Sequence, residues 1–360
     1  MMACSAWLVL AVFLVSCDCG SLICLPECHC EVESFGMFSS FSLTKVDCSG
    51  VGPQLTVVPI PLDTSYLDLS HNHLKAISPL MFTGPGYTTL VSLDLSYNDI
   101  TGMSSSTFSK LRYLEALNLS HNTLEVLEEG IFSSLPLGEV DLSSNQLRNV
   151  NLDTFTSKGQ MKPLSVDLSR NQIATVVRSL DKAVPNIHSL DLSGNQLSAV
   201  PTRYLSGIPL RNLGLGQNLI ANIPENAFVG LPDLTHLSLR SLPELTELSP
   251  SSFQGLQSLQ TLDLSHSSNL KSLNVAVFDG LSSLQELRLE KSGLAALPGA
   301  ILNYLHSIKT IAVGDSLLRC RRRTMEGSFH RQFGFVKKEQ SLHCFDTSGS
   351  SDVQYILKLK

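Results

Sequence analysis

Hydrophobic residues recur along most of this chain in a single frame, L-x-x-L-x-L-x-x-N-x-L. It reads LVSLDLSYNDI from Leu90 to Ile100 and LEALNLSHNTL from Leu114 to Leu124. It returns as LGEVDLSSNQL from Leu137, IHSLDLSGNQL from Ile187 and LRNLGLGQNLI from Leu210. Thr64–Leu74 and Pro163–Ile173 keep the frame with a weaker first position. Copies starting at Leu234, Leu259 and Leu284 lose the Asn, and Ile308–Ser316 is a worn last copy. In every copy the x-L-x-L-x stretch alternates, which predicts a short strand with two apolar side chains facing inward.

The Asn residues at 72, 98, 122, 145, 171, 195 and 218 are 23 to 26 residues apart, the period of leucine-rich repeats. A second marker follows ten residues behind the Asn, at Phe82, Phe108, Phe132, Phe155 and Phe228. Phe253 and Phe278 continue it one residue later. One such repeat cannot bury its own apolar face, but a stack of them can. The expected fold is therefore an α/β solenoid, a leucine-rich-repeat horseshoe. Parallel strands about 4.8 Å apart line its concave side, and bulkier return segments force the curve. The repeat Asn starts a turn, and its amide can hydrogen-bond backbone groups that burial would otherwise leave unpaired.

The ends differ from the repeats. Ala6–Val15 (AWLVLAVFLV) is a compact apolar run followed by small and polar residues, Ser16–Gly20, although no Lys or Arg precedes it. A run this short reads as a cleaved signal peptide rather than a membrane span. Residues 1–20 are assigned to it, and no transmembrane anchor is expected downstream. Of nine Cys, Cys4, Cys17 and Cys19 fall in or beside that leader. Cys24, Cys28, Cys30 and Cys48 precede the repeats, and Cys320 and Cys344 follow them. In an exported chain this split predicts disulfide-bonded caps that shield the terminal Leu layers. A metal site at Cys24-x3-Cys28-x-Cys30 does not suit an oxidising compartment. The expected division is an N-terminal cysteine cap over 21–62, ten to eleven repeats over 63–316 and a C-terminal cap and tail over 317–360. The four early Cys admit three pairings.

Composition narrows the functional classes. With 43% hydrophobic and 16% charged residues the chain is not disordered, and a single Trp does not suit a conventional enzyme core. There is no G-x-S-x-G, no H-E-x-x-H and no phosphate-cradling glycine loop, so no catalytic residue, cofactor or metal is expected. His71-Asn72-His73 resembles a nuclease motif only in its letters, because Asn72 is a repeat Asn.

Candidate ligand-facing residues come from the strand pattern. The position between the two inward Leu reads Asp68, Asp94, Asn118, Asp141, Asp167, Asp191, Gly214, Ser238, Asp263 and Arg288. Adjacent carboxylates repel, so this acidic column either faces a basic ligand or follows from the L-D-L-S letters common to such repeats. Tyr66, His236 and Arg240 flank it, with Glu139, Asn212, Glu286 and Glu290 beside them. The C-terminal half of the column varies most, which suits specificity. A second candidate is a basic patch at Arg321, Arg322, Arg323, Arg331, Lys337 and Lys338. Residues 319–344 carry +5, which against a total of −6 leaves −11 for the remainder. Heparan sulfate or an acidic partner would suit that patch, as would a merely solvated loop. The export signal argues against a nucleic-acid role for its RCRRR run. The one glycosylation sequon, at Asn118, lies on a concave strand, and no Ser-Gly pair has a strong acidic context for a glycosaminoglycan chain.

The spacing C-x3-C-x-C-x17-C, from Cys24 to Cys48, resembles a divergent class of the small leucine-rich proteoglycan family. The likeness extends through the non-repeat segments Phe35–Gly50, Pro59–Ser70, Gly84–Leu90 and Cys320–Cys344, and through Leu234–Leu239. It implies the pairings Cys24–Cys30 and Cys28–Cys48, with Cys320–Cys344 at the other end. It also implies a secreted modulator of developmental signalling. The implied partners are bone morphogenetic proteins, chordin, transforming growth factor β, Frizzled receptors and Notch ligands. A structural matrix protein that regulates collagen fibrils is the alternative.

Overall fold

The computed structural model describes residues 24–35, 41–55, 58–157, 162–294, 297 and 301–314. It also describes the backbone of the strand segments 318–324, 329–330, 334–335, 340–346 and 355–357. The expected leader at 1–20 lies outside these residues.

The x-L-x-L-x stretches form strands that hydrogen-bond side by side in one sheet. In chain order they are Thr64–Asp68, Ser92–Asp94, Ala116–Asn118, Glu139–Asp141, Leu164–Asp167, Ile187–Asp191, Asn212–Gly214, His236–Ser238, Thr261–Asp263, Glu286–Glu290 and Thr310–Gly314. All are parallel, and the inward Leu of one faces that of the next, as in Leu67↔Leu93, Leu93↔Leu117 and Leu213↔Leu237. The worn last copy thus still supplies a strand, paired from Glu286↔Thr310 to Glu290↔Gly314. The return segments are mainly turns. Their regular pieces are single helical turns such as Leu152–Phe155, Thr202–Leu205 and Val275–Phe278, and two short parallel pairs, Asn149–Asn151 with Thr175–Val177 and Asn222–Ile223 with Glu247–Leu248.

The marker Phe residues form the back of the core. Phe82 stacks on Phe108, Phe132 on Phe155 and Phe228 on Phe253, with ring centroids 5.7–5.9 Å apart. Between Phe155 and Phe228 the series lapses. Leu205 is fully buried there, and Arg178, 8% exposed, donates to the carbonyls of Tyr204 and Ser206 at 3.0 and 2.8 Å. A guanidinium is tolerated at this depth because backbone oxygens meet it.

The Asn residues form a continuous spine. Asn98 Nδ2 donates to the carbonyls of Leu95 and Ser96 in its own turn and of Leu69 in the preceding repeat, at 3.0–3.2 Å. Its Oδ1 accepts the Leu74 and Asn72 amides, each at 3.0 Å. The Nδ2 pattern repeats at Asn122, Asn145, Asn171, Asn195 and Asn218. Asn72 extends it into the N-terminal cap by donating to Cys48 O and accepting from Gly52 N–H. In the next repeat the equivalent residue is Leu242, whose amide donates to the Ser267 hydroxyl at 3.3 Å.

Both ends are covered by antiparallel strands. His29–Phe35 pairs antiparallel with Phe41–Asp47, which runs parallel to the first repeat strand. Disulfides join Cys24 to Cys30 and Cys28 to Cys48, and Cys48 is fully buried. Leu25 and both Cys28 and Cys30 pack on the end of the core. The Gly84–Leu90 segment is locked to the cap side: Tyr87 Oη donates to Val58 O at 2.8 Å, and Thr89 Oγ1 to Leu62 O. At the other end Leu318–Thr324 runs antiparallel to Thr310–Gly314 and to Gln340–Asp346, with Cys320 opposite Cys344. Among the described residues no helix is long and apolar enough to cross a membrane.

The spine makes a testable demand. Replacing Asn145 with Ala removes donors to Leu119, Leu142 and Ser143 and the acceptor for Leu124 N–H, all in or near the core. Each unpaired buried group costs about 1–3 kcal/mol, so Asn145→Ala should lose roughly 3 kcal/mol or more. Urea denaturation followed by far-UV circular dichroism measures this.

Candidate ligand-binding face

The concave sheet is the candidate site, and its geometry begins with the acidic column. Each carboxylate closes a turn at the end of its strand. Oδ1 of Asp68, Asp94, Asp141, Asp167, Asp191 and Asp263 accepts the amide two residues on, each at 2.8 Å. Asn118 does the same for Ser120 at 3.0 Å. This local turn explains why Asp, a poor strand former, recurs here. The two readings of the column are therefore compatible: one oxygen of each carboxylate serves the fold, while the second meets Asn118 Nδ2 at Asp94 and lies near Arg288 at Asp263.

The next residues enter the left-handed region, with φ of 50–63° at His71, Tyr97, His121, Ser144, Arg170, Gln217, Ser241, His266 and Lys291. Backbone bonds to the following repeat hold them there, as Tyr97 N–H to Ser120 O at 3.1 Å. Three of them stack: His71 on Tyr97 at 4.5 Å and Tyr97 on His121 at 4.2 Å between ring centroids. This aromatic ladder beside the column was missed in the sequence. Its signal was present, as ring residues occupy the position before the Asn in three successive repeats.

Electrostatics divides the column. Among the described residues no ion pair engages Asp94, Asp141, Asp167 or Asp191, whereas Asp263 lies 3.9 Å from Arg288. Burial, and behind it repulsion from Asp191 and Asp141, raises the Asp167 pKa, although hydrogen bonds from Ser169 oppose the shift. Tyr66 is pushed up to about 12, chiefly by burial and then by Asp68, Asp94 and Asp47. Asp263 is 8% exposed and so contributes less surface to a ligand than its place in the column suggested. Arg288 Nε donates to Glu286 at 2.9 Å, which holds the guanidinium firmly charged.

The remaining expected residues are placed as follows. His236 is exposed, its Nδ1 2.9 Å from Thr235 Oγ1. Arg240 is exposed two residues past its strand and takes no part in the column. Nδ2 of Asn118, the atom a glycan would join, is 3.3 Å from Asp94 Oδ2 on the same face. Of the basic patch, Arg321, Arg322 and Arg323 lie on the cap strand opposite His343, Leu342 and Ser341. Arg331, Lys337 and Lys338 lie outside the described residues.

The stacked parallel strands, the Asn spine and the capped ends define a leucine-rich-repeat protein, and the Leucine rich repeat family model matches residues 88–147, 185–241 and 243–294. The chain is similar to Tsukushi of Gallus gallus, 55% identical over 326 residues covering 91% of this chain and 88% of that protein. It is also similar to Tsukushi-A of Xenopus laevis, 57% identical over 338 residues covering 94% and 95%. Lumican of Gallus gallus is 31% identical over 223 residues, 60% of this chain and 59% of that protein. The chain belongs to the Tsukushi family of small leucine-rich proteoglycans.

The raised pKa of Asp167 predicts a pH effect. Between the ordinary carboxylate value and the raised one, the folded chain binds more protons than the unfolded chain, so stability falls as pH rises through that window. Asp167→Asn keeps the turn and removes the repulsion. Its thermal midpoint should exceed that of the unchanged protein at pH 7, and the gain should vanish near pH 3.

Proposed function

We propose that the chain is an exported extracellular protein that modulates developmental signalling by binding protein ligands on its concave face, without catalysis. The observation that carries this is the run of carboxylates at Asp94, Asp141, Asp167 and Asp191, which no cation offsets among the described residues. Like charges about 5–10 Å apart on adjacent strands destabilise the free protein, and a basic ligand surface relieves that repulsion on binding. The family resemblance supplies the ligand classes: bone morphogenetic proteins, chordin, transforming growth factor β, Frizzled receptors and Notch ligands. The apolar leader and the disulfide-bonded cap support export.

Changing these four residues together to Asn tests the reading, because Asn118 shows that an amide closes the same turn. Exposed charge pairs contribute about 0.2–1 kcal/mol each, so affinity for a basic growth factor should drop about tenfold or more at physiological salt. The far-UV spectrum should not change. Unaltered affinity in a folded variant would show that the column serves the turns alone.

A second surface, for heparan sulfate, is supported by three consecutive cations, Arg321, Arg322 and Arg323, on a strand paired there with Gln340–Asp346. Changing them with Lys337 and Lys338 to Ala should reduce retention on heparin. If the unchanged protein already elutes below physiological salt, where exposed charges more than about 8 Å apart are screened, the patch is not a binding site. A fibril-turbidity assay separates both readings from the collagen alternative.

A further inference from the structure

The acidic column is interrupted at Asn118 and, over two consecutive rungs, at Gly214 and Ser238. The rungs run Asp191, Gly214, Ser238, Asp263, Arg288, paired strand to strand. Two consecutive rungs without charge open a gap of about three strand spacings, ~14 Å, between the carboxylates of Asp191 and Asp263. The gap lines a depression of about 420 Å³ together with Asn212 and His236. Its size lies in the range of sites that hold a small ligand or a single inserted side chain.

The two walls differ. At the N-terminal wall Asp191 uses Oδ1 for the Ser193 amide, and its carboxylate leans over Gly214. A Cβ at residue 214 would collide with that carboxylate and with Ser193 Oγ, so glycine is what lets the Asp191 carboxylate lie across this rung, and the open part of the depression begins at Ser238. At the opposite wall Arg288 is already committed to Glu286 and lies near Asp263. The carboxylate charge left unmatched is therefore Asp191, next to Asp167 on its other side. We infer that this depression is a subsite for one basic side chain, Lys or Arg, projecting from the protein ligand and seated over the Ser238 rung against the Asp191 carboxylate. Arg288 repels a second cation, so the subsite takes one. The inference deepens the concave-face reading and rests on it: the column attracts a basic surface, and the gap sets where its key residue enters.

Charge and space make opposite demands on one substitution. Gly214→Asp continues the column and adds negative charge, yet fills the gap. Attraction by the column alone gives equal or tighter binding, while an inserted side chain gives weaker binding. The full exported chain, labelled with 15N at glycine, is titrated with the peptide acetyl-Gly-Ser-Arg-Ser-Gly-amide and with its Glu counterpart. The Arg peptide should shift the Gly214 amide saturably, bind at least fivefold more weakly to Asp191→Asn and not bind to Gly214→Asp. The Glu peptide should leave Gly214 unmoved. Should Gly214→Asp fail to fold, Asp191→Asn decides, since it keeps the turn as Asn118 does. Binding of the Glu peptide, or unchanged Arg-peptide affinity in Asp191→Asn, overturns the inference. Loss of growth-factor binding in Asp94→Asn/Asp141→Asn alongside either result would retire the subsite and leave the concave-face reading standing.

Discussion

Backbone polarity is the constraint on which this molecule depends. A solenoid coil turns twice within a few residues, and the turn backbone faces a core of Leu and Phe. Each amide and carbonyl there needs a partner. The repeat Asn meets that need from one side chain, with Nδ2 serving carbonyls of two repeats and Oδ1 serving the amide of a preceding one. Neighbouring coils are therefore held by side-chain amides as well as by the sheet. Where Ser267 stands in place of the Asn, its hydroxyl takes over the acceptor part toward the preceding repeat, accepting the Leu242 amide.

The concave face inherits its chemistry from that arrangement. The strand must end in a tight turn to reach the Asn, and a carboxylate or amide oxygen two residues before the turn amide closes it. Asp at this position is thus selected by geometry first. Its charge is a by-product that accumulates rung after rung, with Asp167 the point where burial and neighbouring charge raise the pKa. A ligand surface made this way is strongly polar yet rigid, since every charged group is tied to the backbone by one oxygen. Departures from Asp then stand out as places where something other than turn closure decides the residue. Gly214, with the Asp191 carboxylate leaning over it, is the clearest.

Much of the fold could be read from letters because the repeat writes each structural role seven to eleven times. The strands, the inward Leu, the Phe stack and the Asn spine each follow from a residue type at a fixed phase. What could not be read depends on contacts between repeats rather than on position within one. The double duty of the Asp column required knowing that the turn amide points back at the carboxylate. The stacking of His71, Tyr97 and His121 required the left-handed backbone that places their rings in register. Arg178 breaks the Phe series with a charge whose partners, Tyr204 O and Ser206 O, lie in a different repeat. Asp263 reads as one more surface carboxylate, and only the packing of Arg288 beside it reveals its burial.

Amide hydrogen exchange at the spine tests this picture most directly. The amides of Leu74, Ile100, Leu124, Leu147, Ile173 and Leu197 each donate to an Asn Oδ1 in the following repeat at 2.9–3.1 Å. The Leu242 amide, equally buried in the fold, has only the longer bond to a hydroxyl. Exchange that opens only through loss of the stack should make those six amides among the slowest in the protein, with Leu242 distinctly faster. If the six exchange no more slowly than Leu242, or if protection tracks only distance from the capped ends, the Asn spine is not what holds the coils together.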